Sequence, residues 1–509
     1  MTSGRVYLVG AGPGDPGLLT LRGAELLGRA DVIIHDRLAS QRLLRHARAG
    51  AERIDVGKQP ARAGITQDEI NRLMVERARS GQVVVRLKGG DPLIFGRGGE
   101  EAMALSAAGV EFEIVPGVTA VSAAAAGAGV PVTQRGVASC LGLVTGHEAG
   151  QAGEGGLDWS ALAAWPGTLA FYMAAGNLEA ICRRLVEAGA DGTTPAAVVQ
   201  WAGTAQQRVV AGALGDIAAK VREAELGPPV VVLVGKVVSL REQIAWFEKR
   251  ALFGVRIAVT RPARQAEELS GRLEELGAAV IECPTIAILP PADAGPLRQA
   301  VARVGEFDWI VFASANAVEA FFAALGEAGG DARALAGCRL CCIGPVTARR
   351  LGEFGLRADL EPGEATGAAA VEAMAGAADL RGAAVLYPRS DIAPDDVPAA
   401  LAARGARVTS VEAYRTAVDA GGAERLGRLV ANGQVDWISL ASASAVAGML
   451  AAVDAGRLRG GRVRLASIGT ATSAALRRAG LEPSAEAGEH TAAGLAAAIA
   501  AACGCEGAR

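Results

Sequence analysis

The residues of this chain that could do chemistry sit where apolar runs stop. Val84-Val85-Arg86-Leu87-Lys88 ends in Gly89-Gly90-Asp91-Pro92, with Ile94 just beyond. Paired glycines let a ligand approach the backbone, because no Cβ intervenes. Asp91 is placed to accept from a polar ligand group, although an ordinary Gly-Asp-Pro turn uses the same residues. Asp31-Val32-Ile33-Ile34-His35 ends in Asp36, followed by Arg37-Leu38, and Ile54-Asp55-Val56-Gly57 ends in Lys58. An acid and a base at strand ends can face a ligand, or be a turn acid and a solvated lysine. Further on, Ser314, Asn316, Ser442, Thr470 and Thr472 follow apolar runs and open helix-forming stretches. Hydroxyls and backbone amides there can hold carboxylates, or simply cap helices.

The elements that must position these residues follow from the pattern. A β-branched run, then glycine, aspartate and proline, then helix formers, is a buried strand, a tight loop and a helix start. In open α/β sheets, ligands sit outside the carboxyl ends of the strands. The first strand is expected over 6–9, then the loop Gly10-Ala11-Gly12-Pro13-Gly14-Asp15-Pro16-Gly17 and a helix over 18–27. Its G-x-G-x-G spacing departs from the dinucleotide fingerprint, and Pro13 and Pro16 lack the donors of a phosphate cradle. Thr66 and Glu69 are spaced as a capping box. A strand over 112–115 leads into Pro116-Gly117-Val118-Thr119-Ala120 and a small, apolar stretch over 121–130. A second α/β section opens at 141–147, with strands at 168–173, 196–199 and 229–235, a loop over 148–158 and a helix over 240–249.

With 509 residues, the chain is too long for one core and suits two to four domains. It is 51% hydrophobic and 21% charged, so it is not disordered. A net charge of −3 argues against a general nucleic-acid or membrane-surface binder, while leaving room for an anionic substrate met by local arginines. The amino terminus runs straight into a strand, and no apolar run reaches the ~18 residues of a membrane helix. Cys338-x-x-Cys341 has no second pair at metal spacing and no histidine nearby, so no metal is expected. Eight scattered cysteines fit free thiols in a reducing cytoplasm.

Four stretches together resemble the uroporphyrinogen-III C-methyltransferases of the tetrapyrrole methylase family. They are Val9-Gly10-Ala11-Gly12-Pro13-Gly14-Asp15-Pro16-Gly17, Asp36-Arg37-Leu38, the 89–99 run and Val115-Pro116-Gly117-Val118-Thr119-Ala120. The resemblance covers residues 1–250 and implies two α/β lobes, with a break near 118–130. It implies S-adenosylmethionine held by Pro13, Gly89, Gly90, Asp91, Ile94, Thr119, Ala120, Met173 and Gly203, with S-adenosylhomocysteine as product. It makes Asp36 a proton acceptor and Lys58 a proton donor, and it implies a homodimer through this half.

Beyond a short hinge over 250–256 the chain resembles itself. Phe307-Asp308-Trp309-Ile310 matches Val435-Asp436-Trp437-Ile438 at an offset of 128 residues, and Val259-Thr260-Arg261 matches Tyr387-Pro388-Arg389 at the same offset. Ile343-Gly344 matches Ile468-Gly469 at 125. This reads as two duplicated α/β domains, with Trp309 and Trp437 in their cores. The motifs Val259-Thr260-Arg261-Pro262, Phe312-Ala313-Ser314-Ala315-Asn316, Glu412-Ala413-Tyr414-Arg415-Thr416 and Ile468-Gly469-Thr470-Ala471-Thr472 resemble uroporphyrinogen-III synthase over residues 254–509. The resemblance implies one discontinuous domain, 254–288 plus 417–509, and an inserted one, 292–413. Tyr414 could assist departure of a hydroxyl, and fits a core or hinge position equally well. Ser314, Asn316, Ser442, Thr470 and Thr472 would bind acetates and propionates, with no cofactor.

The fold class expected is therefore α/β: a two-lobed tetrapyrrole methylase followed by a two-domain synthase with duplicated parallel-sheet domains. The expected function is cyclisation of hydroxymethylbilane to uroporphyrinogen III and its methylation at C2 and C7 to precorrin-2. Two alternatives stay open: a methylase of a later precorrin, and a carboxyl half that binds or senses tetrapyrroles without catalysis.

Overall fold

The computed structural model describes residues 4–37, 39–57, 65–147 and 156–504. The chain divides into two compact units, Met1–Gly254 with Leu276–Ala279, and Val255–Glu275 with Val280–Arg509.

The first unit opens with β1 (Arg5–Gly10), β2 (Val32–His35), β3 (Glu52–Asp55), β4 (Val83–Lys88) and β5 (Phe112–Val115), ordered β3-β2-β4-β1-β5. Every neighbouring pair is parallel, so all five carboxyl ends lie at one edge. The central strands are buried on both faces, as their continuous β-branched runs require. Val9, Ile33, Val85 and Leu87 pack into one core, and Val6, Leu8, Val32, Ile34 and Val84 into the other. Helices α1 (Leu21–Arg29), α2 (Gln67–Arg79) and α3 (Gly98–Ala107) follow β1, β3 and β4, and α4 (Ala120–Ala128) follows β5. Thr66 and Glu69 form the capping box expected at the start of α2. The first helix starts three residues later than the sequence suggests. A short turn over Pro16–Leu18 precedes Thr20, whose hydroxyl accepts from the Gly23 N–H and caps α1.

The second lobe holds β6 (Leu141–Thr145), β7 (Thr168–Tyr172), β8 (Pro195–Gln200), β9 (Arg208–Ala213) and β10 (Val230–Val234), in the order β6-β7-β10-β8-β9. Only β6 and β7 run parallel; the other pairings are antiparallel. The helix expected over 240–249 is broken into a four-residue helix, Arg241–Ile244, between short turns. Side chains decide this. Arg241 donates to the Ala128 carbonyl, and Trp246 Nε1 to that of Ala126 at 2.9 Å. The segment thus brings side-chain donors to the carbonyls at the end of α4 instead of continuing a helix.

In the second unit, β11 (Arg256–Val259), β12 (Ala279–Glu282), β18 (Trp437–Leu440), β19 (Arg464–Ser467) and β20 (Ala485–Glu486) form one sheet, ordered β12-β11-β18-β19-β20. The other contains β13 (Ile286–Leu289), β14 (Trp309–Phe312), β15 (Arg339–Cys342), β16 (Ala384–Ser390) and β17 (Arg407–Val418), ordered β13-β17-β16-β14-β15. The parallel triplets β11-β18-β19 and β16-β14-β15 are the same unit built twice. The match extends to side chains. Asp436 Oδ2 accepts from the Arg256 N–H and Asp308 Oδ2 from the Ala384 N–H, both at 2.8 Å. Trp309 and Trp437 are buried under Arg339 and Arg464, as a core role requires.

Candidate functional site

In the first unit, three strand-end loops meet backbone to backbone. The Ala11 N–H donates to the Lys88 carbonyl at 2.7 Å, and Gly12 and Gly90 exchange both backbone bonds, at 3.2 and 2.8 Å. Gly90 takes φ +68°, in the left-handed region that glycine enters freely. A Cβ on Gly117 would lie 2.3 Å from the Gly90 oxygen and 2.7 Å from the Gly10 Cα. Gly10 and Gly117 therefore pack too closely for side chains, and Gly90 is required by its backbone conformation.

Asp91 pins this junction. Its Oδ1 accepts from the Leu93 N–H at 2.8 Å and its Oδ2 from the Gly117 N–H at 3.0 Å. The carboxylate expected to face a ligand thus first ties the loop after β4 to the loop after β5. Pro13, Gly89, Gly90, Ile94, Thr119 and Ala120 are all half-buried around the junction.

The second lobe reaches the same place through Tyr172, at the end of β7. Its hydroxyl lies 2.7 Å from Thr119 Oγ1 and accepts from the Val121 N–H at 2.9 Å. Its ring packs 4.9 Å from Phe95, and burial raises its phenol pKa. The next residue, Met173, is 53% exposed with φ +52°, a conformation L-residues rarely adopt. Gly203 lies in a loop of the same lobe, half-buried at φ +75°. Sequence reasoning named Met173 and passed over Tyr172, whose signal was an aromatic with a polar tip closing an apolar strand.

Asp36 follows β2 at the same edge. Arg86 Nη2 donates to its Oδ1 at 2.5 Å, and its side chain is one third exposed. Behind it, Arg86 Nε, Lys88 Nζ and Gln67 Nε2 all donate to Glu101 Oε1, at 3.1, 2.8 and 3.1 Å. Glu101 is fully buried and Arg86 and Lys88 nearly so. None of the three was singled out from sequence. Lys58 lies outside the described residues.

In the second unit a cavity of about 750 Å³ lies between the two sheets' helix-start loops. Ser314, Asn316 and Tyr414 line it from one side, Ser442 and Arg261 from the other. Ser314 Oγ caps its helix by accepting from the Ala317 N–H at 3.1 Å, and lies 3.0 Å from the Tyr414 hydroxyl. Ser442 Oγ accepts from the Ala445 N–H at 3.1 Å. Gln265 Nε2 donates to Asn316 Oδ1 at 2.6 Å, joining the two sides. Thr470 and Thr472 are not among the residues lining this cavity. Thr470 is exposed in the first turn of the helix Thr470–Arg478, and Thr472 is buried beneath it.

Arg264 and Arg349 also line the cavity; sequence reasoning quoted Arg261 within a motif and gave none of the three arginines a binding role. Arg261 is half-buried with no hydrogen-bond or ion-pair partner among the described residues, and burial lowers its pKa. Glu268 favours the cation electrostatically without pairing with it, so a half-buried guanidinium keeps its donors for an incoming carboxylate. No group of three or more His, Cys, Asp or Glu residues that could hold a metal occurs among the described residues. No helix there is long and apolar enough to cross a membrane.

A family model of tetrapyrrole (corrin/porphyrin) methylases matches residues 5–218, and one of uroporphyrinogen-III synthase HemD matches residues 267–497. The porphyrin biosynthesis protein HemD of Ruminiclostridium josui is 36% identical over 455 residues, 89% of this chain and 90% of that protein. The uroporphyrinogen-III C-methyltransferase of Bacillus subtilis is 42% identical over 336 residues, 66% of this chain and 68% of that one. Among solved structures, the uroporphyrin-III C-methyl transferase from Thermus thermophilus, complexed with S-adenyl homocysteine, is 42% identical with a TM-score of 0.40. The match covers 47% of this chain and 100% of that chain.

Proposed function

Since the chain belongs to the family that joins a tetrapyrrole methylase to a uroporphyrinogen-III synthase, we propose that its halves perform consecutive steps of tetrapyrrole biosynthesis. The carboxyl half closes hydroxymethylbilane into uroporphyrinogen III. The amino half methylates that product at C2 and C7, giving precorrin-2. The observation that carries the reading is the glycine junction after β1, β4 and β5, which Tyr172 of the other lobe reaches through Thr119 and Val121.

S-adenosylmethionine supplies a sulfonium methyl group that an electron-rich pyrrole carbon can take. The junction fits it, because its wall is backbone: Gly10 and Gly117 pack too closely to carry a Cβ, and Gly90 presents its main chain with room beside it. Pro13, Gly89, Gly90, Asp91, Ile94, Thr119, Ala120, Met173 and Gly203 would hold it. Asp91 acts by fixing the loop. Asp36, oriented by Arg86, takes the proton that the methylated ring releases. Alignment of the two reactants between the lobes supplies much of the remaining rate.

In the synthase half, Arg261, with Ser314, Asn316 and Ser442, takes the substrate's acetates and propionates. A guanidinium grips a planar carboxylate with two hydrogen bonds. Tyr414, held by Ser314, assists departure of the hydroxyl. Thr470 and Thr472 are assigned to carboxylate binding only if the cleft closes on them. This half works without a cofactor. The methylase half pairs with a second copy, and the unbridged thiols support a cytoplasmic location.

The test is a coupled assay on the full chain with enzymatically generated hydroxymethylbilane. Type III uroporphyrinogen forms without the methyl donor, and dimethylated product forms with it. Formation of the type I isomer alone would overturn the synthase reading.

A further inference from the structure

The sheet of the methylase half carries a buried charge cluster that its stability does not explain. Glu101 sits on α3, Arg86 and Lys88 on β4, and Gln67 on α2. They lie above the core formed by Val84, Leu8, Ile34 and Leu105. Three donors converge on Glu101 Oε1 within 3.1 Å, while Glu101 Oε2 is buried with no hydrogen-bond partner. Leaving a buried carboxylate oxygen unpaired is costly. Replacing buried ion pairs by apolar residues is often neutral or stabilising. A cluster kept at such cost in the middle of a parallel sheet has a use other than holding the fold. Among the described residues, its link to the open edge is Arg86, whose Nε binds Glu101 and whose Nη2 binds Asp36.

We propose that Glu101 and Lys88 are positioning residues for methyl transfer: Glu101 holds the Arg86 guanidinium, Lys88 balances Glu101, and Arg86 presents Asp36 as the proton acceptor. The proposal rests on the reading of Asp36 given above. The cluster holds two cations and two anions, so removing either buried partner changes the charge that Asp36 faces, and in opposite senses. Burial, with Arg86 beside it, already pushes the Lys88 ammonium down. The other charged or titratable groups on the described elements around Asp36 are His35 and Arg37 beside it, Asp55 on β3, Asp68 and Glu69 at the start of α2, and Glu100 on α3. All stay unchanged in the variants below.

The experiment is the pH profile of methylation of supplied uroporphyrinogen III by the full chain, with S-adenosylmethionine affinity measured alongside. Glu101→Gln leaves Asp36 facing excess positive charge, so the acid limb moves down by roughly one pH unit. Lys88→Met leaves excess negative charge, so the limb moves up by a similar amount. Both lower kcat about tenfold and leave the affinity for S-adenosylmethionine within twofold. Opposite shifts are a signature that general loosening of the sheet cannot produce. Unmoved limbs, or limbs moving the same way, would overturn the proposal, as would loss of cofactor affinity in step with activity. Asp36→Asn separates the two readings. If it keeps full turnover and the wild-type acid limb, the Asp36 assignment fails. If it abolishes turnover while the other two variants leave the limb in place, only the Glu101–Lys88 proposal fails.

Discussion

Gly117→Ala tests the cradle at its tightest point. The new Cβ would lie 2.3 Å from the Gly90 oxygen and 2.7 Å from the Gly10 Cα. Ordinary contact begins near 3.4 Å, so one backbone must retreat by about 1 Å. Neither can do so freely. Gly90 is tied to Gly12 by bonds of 3.2 and 2.8 Å, and Ala11, next to Gly10, to Lys88 by one of 2.7 Å. Overpacking of this kind costs about 1–3 kcal/mol. A displacement of about 1 Å at a reacting site can cost 10²-fold in rate. We therefore expect S-adenosylmethionine affinity to fall about 10–100-fold in calorimetry and methylation of uroporphyrinogen III to fall further. Type III isomer formation from hydroxymethylbilane, carried by the other unit, should stay at the wild-type rate. Gly99→Ala is the control. It is an exposed position of α3, where a Cβ meets nothing within 4 Å, and the change should stabilise by about 0.4–1 kcal/mol. If Gly117→Ala binds S-adenosylmethionine as tightly as the wild type, the glycine junction is not the cofactor cradle.

Tyr172→Phe strands the Val121 N–H, which bonds its hydroxyl at 2.9 Å. The loss should cost about 1–3 kcal/mol, read as a lower Tm and a raised KM for S-adenosylmethionine. Arg261→Gln should raise the synthase KM about 10–100-fold, the value of a charged hydrogen bond of about 1.5–3 kcal/mol, with Arg261→Lys recovering part of it; an unchanged KM would remove Arg261 from the substrate site. Burial pushes the Cys341 and Cys342 thiols up to about 12. Their raised folded pKa contributes stability that is complete below the unfolded thiol value of about 8.5 and is lost as pH rises toward 12. Alkaline denaturation monitored by circular dichroism should accordingly weaken in Cys341→Ser/Cys342→Ser, and native protein at pH 8 should react slowly with a thiol reagent at both positions.

What the sequence discloses is the part of the molecule set by short-range pattern. Apolar runs stopped by glycine gave β1, β4 and β5 within a residue or two, because a buried parallel strand must be apolar on both faces. The offset of 128 residues appears in space as the matched triplets β11-β18-β19 and β16-β14-β15. What stays hidden depends on partners distant in the chain. Glu101 looks like one more acid in the first turn of a helix, next to Glu100, until α3 is laid against Lys88 and Arg86. Thr472 looks like Thr470, but helical geometry turns it inward. Nothing local to Arg261 announces that it will lack a partner, since that depends on which side chains fail to reach it. The break over 240–249 is decided by the carbonyls ending α4, more than a hundred residues earlier.

The same contrast bears on how two chemistries share one chain. Each candidate site is made from loops at strand ends, over cores that the loops do not disturb. In the first unit, glycines bring the loops into contact and Asp91 locks them, so the resulting surface is rigid and made of backbone. In the second, serines at helix starts and an unpartnered arginine line an open cavity, so the surface is made of side chains awaiting ligands. A rigid backbone cradle suits a reaction in which one methyl group must meet one carbon at a fixed angle. An open cavity lined by hydroxyls, arginines and glutamates, in which the Arg261 guanidinium has no ion-pair partner among the described residues, suits a flexible polycarboxylate that must fold back on itself before it closes. Steric substitutions should therefore damage the methylase most, and charge substitutions the synthase. The buried cluster behind Asp36 is the exception, because there the rigid half also depends on charge.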